Sequence, residues 1–408
     1  MNISKFGCAT KIFKTCILNH RTCSLCPPVA PYRYTVTLMD STTVMGQALA
    51  LLLKQNPLIR ELRLYDDKDC TGLAVDLNDI DTYAKVVTYN GEERLNEALI
   101  GTDIAINCGG HSQNPFESYE DLFEKNVDHI RRSAIYLTEF NQKALYVIAR
   151  PPIESLVSMV YQEYRKAKVK SPHLKIFGVA NYTMMRANHW ISKVMKVDAF
   201  NVTCPIIGGT SADVAVAVLS GSNPGRQISD PRKIAIIQEG MAFGEEKILS
   251  IKVNEDGGCV ALSPAVATYR LVNNMLRGLR GDHDVYDCAF LKQEGHLKKF
   301  LPYMTSIVQF GRYGVASTHM PDISGSEIYR LKQAYPILRA YIYLGESYVH
   351  GLPMTQRDKT CVEPCDITKA KAEEDINKPC ETKKPETKVK CEDIGEPKAT
   401  DCSNYSSC

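Results

Sequence analysis

The stretch YTVTLMDSTTVMGQALALLLKQNPLIRELRLYD, residues 34–66, sets the reading of the whole chain. Residues 34–39 are β-branched and apolar over a strand's length, whereas Gly46–Lys54 (GQALALLLK) is dominated by helix formers. Pro57 follows, where a helix has to stop. Glu61–Tyr65 (ELRLY) returns to a strand pattern and ends on Asp66. Strand, turn, helix and strand in so few residues predict a parallel pair with a helical crossover.

The alternation continues outward. Strands are predicted at 84–87, 103–107, 145–149 and 175–179, with helices around 72–80, 119–141 and 182–195. Beyond them lie strands near 200–205 and helices near 234–250, 263–279 and 325–350. Short apolar strands alternating with helices imply an α/β fold, a Rossmann-like doubly wound parallel sheet covered on both faces. Two lobes are expected, joined near residue 180.

Composition narrows the function classes. The chain has 408 residues, 49 basic and 47 acidic, for a net charge of +2. That balance gives no reason to expect a nucleic-acid partner. With 44% apolar residues the chain can bury a large core, and it has no apolar run long enough for a transmembrane helix. The 15 cysteines are distributed unevenly: Cys8, Cys16, Cys23 and Cys26 at the start, and Cys361, Cys365, Cys380, Cys391, Cys402 and Cys408 at the end. The long cysteine-poor middle argues against a disulfide scaffold.

The two ends read differently from the middle. Lys5, Lys11, Lys14, Arg21 and Arg33 precede the first acidic residue, Asp40, and Ile3, Phe6, Phe13 and Ile17 recur near one helical face. An amphipathic, basic, acid-free start reads as a mitochondrial transit peptide over residues 1–32, which implies the matrix. Cys23 and Cys26 have no second pair at zinc-site spacing, so no metal is expected there. Residues 353–408 are highly charged with one aromatic, Tyr405, and read as a disordered arm whose cysteines offer disulfide cross-links or protein contacts.

In a doubly wound sheet, ligands sit beyond the carboxyl ends of the strands, and the first turn faces a dinucleotide's pyrophosphate. That turn is Asp40-Ser41-Thr42-Thr43-Val44-Met45-Gly46, and Asp66, 20 residues past Gly46, is placed for the ribose hydroxyls. Gly46 is the one glycine in the turn.

Several phrases are more specific than the periodicity. Leu51-Leu52-Leu53-Lys54 with Asn56-Pro57-Leu58, Leu64-Tyr65-Asp66, Ala74-Val75-Asp76-Leu77, Asp121-Leu122-Phe123, Lys175-Ile176-Phe177-Gly178-Val179, Arg186-Ala187-Asn188 and Pro205-Ile206-Ile207-Gly208-Gly209 occur in this order. In them the chain resembles the mitochondrial-type malate dehydrogenases, over about residues 33–352. The resemblance implies a Rossmann-like NAD-binding domain over 33–180 and an α+β substrate domain of the lactate/malate dehydrogenase type over 181–352. It also implies NAD as cofactor, a homodimer, and reversible hydride transfer between malate and oxaloacetate.

The family's chemistry needs a histidine to take the malate hydroxyl proton, an aspartate to support it, and three arginines for two carboxylates. By resemblance, the histidine position holds Thr210 and the aspartate position Thr183. The loop arginines fall on Gln113 and Tyr119, and a substrate-contacting asparagine on Arg150; Arg186 alone is retained. The first two glycines of the family's phosphate turn are Asp40 and Thr43, leaving Gly46, Asp66 and Asn126 at cofactor positions. A carboxylate at Asp40 about 5 Å from a pyrophosphate costs on the order of 3 kcal/mol. His111, on the loop, is either a displaced base or a solvated loop residue. The expectation is a malate dehydrogenase-like protein without a working active site, in a structural or interaction role. The alternative is an active NAD-dependent malate dehydrogenase of the tricarboxylic acid cycle, or an oxidoreductase with another substrate.

Overall fold

β1 (Tyr34–Met39) is buried from its second residue onward, as a central strand covered on both faces must be. It pairs in parallel with β2 (Ile59–Asp66) on one side and β4 (Ile104–Asn107) on the other. β3 (Lys85–Asn90) extends the sheet beyond β2; β5 (Leu145–Ile148) and β6 (Ile176–Val179) extend it beyond β4. The order β3-β2-β1-β4-β5-β6 reverses direction between β1 and β4, which opens the crevice where a doubly wound sheet holds its ligand. The computed structural model describes residues 33–114, 117–252, 260–295 and 297–352. The amino-terminal targeting segment, the Cys23–Cys26 pair and the cysteine-rich tail lie outside the described residues.

α1 (Val44–Lys54) starts where Thr43, in extended conformation, accepts the Gly46 amide on its own hydroxyl. Gly46 is required by packing: a Cβ there would lie 2.4 Å from the Asp40 carbonyl oxygen. Leu49 and Leu53 of α1 are fully buried with Val36, Leu38, Ile104 and Ile106 of the sheet, each contributing about 1.5–3 kcal/mol of transfer free energy. α2 (Thr71–Asn78), α3 (Leu95–Leu99) and the long α4 (Tyr119–Phe140) provide the remaining crossovers up to β5.

α5 (Ile153–Lys166) follows β5 and is absent from the sequence expectation. Every residue from Ile153 to Tyr164 is buried, with the apolar Ile153, Leu156, Val157 and Val160 along one face and Glu154, Ser155, Ser158 and Gln162 along the other, so its polar face meets protein instead of solvent. It is held against α10 (Gly325–His350), with the Ser155 hydroxyl donating to the Tyr341 carbonyl at 2.6 Å and Ser158 to Ile342 at 3.1 Å.

After α6 (Asn181–Met195) the sheet turns antiparallel. β9 (Tyr286–Lys292) pairs with β6, and β10 (Tyr303–Gly311) with β9; β7 (Ile206–Gly208), β8 (Ala215–Ala217) and β11 (Gly314–His319) attach through β10. The strands expected near 200–205 are corrected: a short helical turn occupies Ala199–Asn201 and β7 begins at Ile206. β9, β10 and β11 were also missing from the expectation. α7 (Pro231–Lys252), α8 (Leu262–Arg280) and the short α9 (Leu297–Phe300) complete the second half. The fold is thus Rossmann-like α/β with an appended α+β part.

Candidate functional site

Three side chains organise the turn after β1. Asp40 adopts a left-handed φ of 61°, ordinarily a glycine conformation, and its carboxylate lies 2.8 Å from the His129 Nε2 of α4. Its side chain covers Gly109, where a Cβ would meet the Asp40 Cγ at 1.8 Å. Thr42 donates its amide (2.9 Å) and its hydroxyl (2.8 Å) to Asp66 Oδ2, while Lys68 donates its amide to Oδ1 at 3.0 Å. Asp66 is only 6% exposed, with both carboxylate oxygens engaged. Thr43 ties the turn together, donating to the Asp40 carbonyl at 2.8 Å and accepting from Gly46 at 3.0 Å.

Asn126, fully buried on α4, is likewise consumed. Its Oδ1 accepts the His111 amide, and its Nδ2 donates to the carbonyls of His111 and Pro151 at 3.1 and 3.0 Å. It pins the start of the loop after β4 to the segment after β5. The buried Arg150 guanidinium does the same, donating to the Cys108 carbonyl (2.8 Å), the Gly109 carbonyl (3.2 Å) and the Ser112 hydroxyl (3.1 Å). Arg150 therefore points into backbone carbonyls.

Beside this loop lies a cavity of about 450 Å³. Gln113, Tyr119, Arg150, Thr183 and Thr210 all line it, while Arg186 is not among its lining residues. At its wall sits Glu154 of α5, fully buried. Its Oε1 accepts the amides of Thr210 (2.6 Å) and Ser211 (3.0 Å) and both their hydroxyls at 3.0 Å. Its Oε2 accepts the Tyr119 hydroxyl at 3.0 Å. Burial, reinforced by the Glu154 charge, holds the Tyr119 phenol well above its ordinary value, so it remains a donor. The Tyr119 ring stacks flat on Tyr341 of α10, centroids 3.5 Å apart, and Tyr341 in turn donates to Asp213. Thr183 donates to the Thr210 carbonyl at 2.6 Å. A carboxylate and hydroxyls thus occupy the place the resemblance reserves for an imidazole and its aspartate.

Arg186 does not stand free either. It is 9% exposed and ion-pairs with Glu245 of α7 at 3.1 Å, under the Tyr182 ring at 4.5 Å from the ring centre. Burial and then the Glu245 charge raise the Tyr182 phenol above its ordinary value. His111 lies 3.1 Å from Glu117, which also pairs with Lys125, and it is not among the cavity's lining residues. Cys108 is buried, its thiol pushed up to about 12 by desolvation and then by Asp40, which leaves no thiolate nucleophile. Among the described residues no group of three or more His, Cys, Asp or Glu side chains is placed to hold a metal ion.

Sequence reading did not find Glu154, Tyr182, His129, Thr42 or Glu245. Glu154 lies on the polar face of α5 and meets Thr210 and Ser211 more than 50 positions away, and His129 carries no local signal because its partner is 89 positions away. The residues of the turn suit a dinucleotide poorly: Asp40 puts a carboxylate at the phosphate turn, and both Asp66 oxygens already accept from Thr42 and Lys68.

Residues 35–177 match the model of the lactate/malate dehydrogenase NAD-binding domain. The chain is 29% identical over 316 residues to the peroxisomal malate dehydrogenase 1 of Arabidopsis thaliana, covering 77% of this chain and 87% of that protein. It is 28% identical over 318 residues to the mitochondrial malate dehydrogenase of Felis catus, covering 78% and 92%. Similar solved structures include the malate dehydrogenase of Picrophilus torridus, with TM-score 0.67 and 16% identity over 78% of this chain and 99% of that one. The lactate dehydrogenase of Cryptosporidium parvum, solved with lactic acid and nicotinamide adenine dinucleotide, has TM-score 0.66 and 18% identity over 79% and 99%.

Proposed function

We infer that this chain, a divergent member of the lactate/malate dehydrogenase superfamily, is a non-catalytic malate dehydrogenase-like protein with a structural or interaction role. One observation carries the reading: the buried Glu154 carboxylate sits on Thr210 and Ser211, where the family's proton-accepting histidine belongs. A threonine hydroxyl is no general base near neutral pH, and losing positioned proton transfer costs about 10²–10⁴ in rate. A dicarboxylate about 5 Å from Glu154 meets a repulsion on the order of 3 kcal/mol. The guanidinium that should bind it, Arg186, is already neutralised by Glu245 at 3.1 Å. With Arg150 bound to carbonyls, no free guanidinium among the described residues of this cavity balances those carboxylates.

The test is steady-state turnover by the purified chain with NADH and a panel of 2-oxo acids that includes oxaloacetate. No turnover on any of them is expected. A rate within tenfold of an ordinary malate dehydrogenase on oxaloacetate, or on another 2-oxo acid, would favour a working oxidoreductase instead.

The same reading assigns the chain to the mitochondrial matrix as a homodimer, supported by its basic, acid-free start and by mitochondrial relatives. Imaging a carboxyl-terminal fluorescent fusion and sedimentation of the purified chain test these two assignments. It also gives the six carboxyl-terminal cysteines a cross-linking role. Non-reducing gels of native material should show bands that collapse to monomer mobility with a thiol reductant; material that migrates as monomer throughout contradicts it.

A further inference from the structure

We propose that the nucleotide crevice is self-liganded: the chain's own side chains occupy the anchor points of a dinucleotide, so NAD(H) no longer binds. The inference rests on the reading above but concerns the cofactor side of the site, where each substitution brings a chemical stand-in. A ribose hydroxyl would donate to the acid after β2; here the Thr42 hydroxyl and amide donate to Asp66 Oδ2 at 2.8 and 2.9 Å, and the Lys68 amide takes Oδ1. A phosphate would bring negative charge to the crevice between β1 and β4; here the Asp40 carboxylate is already there, over Gly109 and 2.8 Å from His129 Nε2. A phosphate oxygen would accept from the free amides at the start of α1; here the Thr43 hydroxyl accepts the Gly46 amide at 3.0 Å.

Hydroxyl stands for hydroxyl and carboxylate for phosphate at Asp66, at Asp40 and at the Gly46 amide. The 450 Å³ cavity draws only Met45 from this turn. Displacing the stand-ins would require breaking the Thr42–Asp66 contacts and seating a pyrophosphate against Asp40.

The experiment is an NADH fluorescence titration with a parallel thermal-shift measurement on the reduced, full-length chain and on the Asp40→Gly/Thr42→Ala/Thr43→Gly variant. Glycine suits the φ of 61° at position 40, and Thr→Gly at a helix cap is a mild change, so the variant is expected to fold. The wild type should show neither saturation nor a thermal shift up to about 1 mM NADH, and the variant should bind at least about tenfold more tightly than that limit. A wild type that saturates below about 0.1 mM overturns the proposal. So does a folded variant as silent as the wild type; the single Thr42→Ala chain is read in the same way should the triple variant not fold. NADH binding by the wild type without turnover of oxaloacetate defeats this inference alone, whereas turnover defeats the non-catalytic reading.

Discussion

Glu154→Ala should destabilise the chain severely, because one buried carboxylate organises the loop that carries Thr210 and Ser211. The side chain is fully buried and accepts five hydrogen bonds, two of them from backbone amides at 2.6 and 3.0 Å. The three hydroxyl donors, on Thr210, Ser211 and Tyr119, can rotate toward other acceptors or toward water in the adjoining cavity. The two amides cannot. Leaving a buried donor unsatisfied costs about 1–3 kcal/mol each, and lost packing of the side chain adds to this, so about 3–5 kcal/mol is expected. At about 1.5 °C per kcal/mol for a folded region of this size, the melting temperature should fall by at least about 4 °C. Glu154→Gln keeps one oxygen for Thr210 and Ser211 and turns its amide toward Tyr119, whose oxygen can accept, so about 1 kcal/mol is expected. Urea titrations of the three chains under reducing conditions give the comparison. An alanine variant within about 1 kcal/mol of wild type would refute the view that this carboxylate holds the site together.

Three further outcomes follow from other contacts. Gly109→Ala should cost about 1–3 kcal/mol, because its Cβ meets the Asp40 side chain at 1.8 Å, and most of that cost should vanish in an Asp40→Gly background; a double-mutant cycle in urea showing no coupling contradicts the placement of Asp40. Burial works against the Glu327 charge, but the hydrogen bonds from Ser220 and Ser324 together outweigh it and hold the carboxyl below its ordinary value of 4.5. Its contribution is therefore present above that value and lost as pH falls through the folded one, so Glu327→Gln should flatten the pH dependence of the urea midpoint below about pH 5; an unchanged slope contradicts this. Glu245→Gln breaks a pair whose acid is 34% exposed, so it should cost no more than about 1 kcal/mol, and calorimetry should still detect no oxaloacetate binding because Glu154 remains; restored binding would locate the block at Glu245 alone.

The parallel half of the fold was legible because its strands are short apolar runs set off by helices, and β1, β2 and the helix between them follow from residues 34–66 alone. α5 was not, although its apolar residues recur at helical spacing; its polar face, which ordinarily marks a solvent side, is buried against other elements. β9 joins β6 more than 100 positions away, a pairing that no local signal marks, whereas β10 and β11 form a local hairpin that closes between Gly311 and Gly314. At the site, Gln113, Tyr119, Arg150, Thr183 and Thr210, which the resemblance singles out, line one cavity, whereas Asp40 and Thr43 do not. The resemblance gave no indication of what the replacements do. That Thr42 locks Asp66, that Asp40 finds His129 and that Glu154 fills the place beside Thr210 are consequences of three-dimensional pairing between segments 24 to 89 residues apart.

The central claim is that this chain keeps a dehydrogenase fold around a site filled by its own side chains. It is tested most directly by following NADH oxidation by oxaloacetate with the chain at concentrations equal to NADH, so that even one slow turnover registers. The account predicts a rate indistinguishable from the chain-free control, at least about 10⁴-fold below an ordinary malate dehydrogenase. Stoichiometric oxidation of NADH within seconds would contradict it.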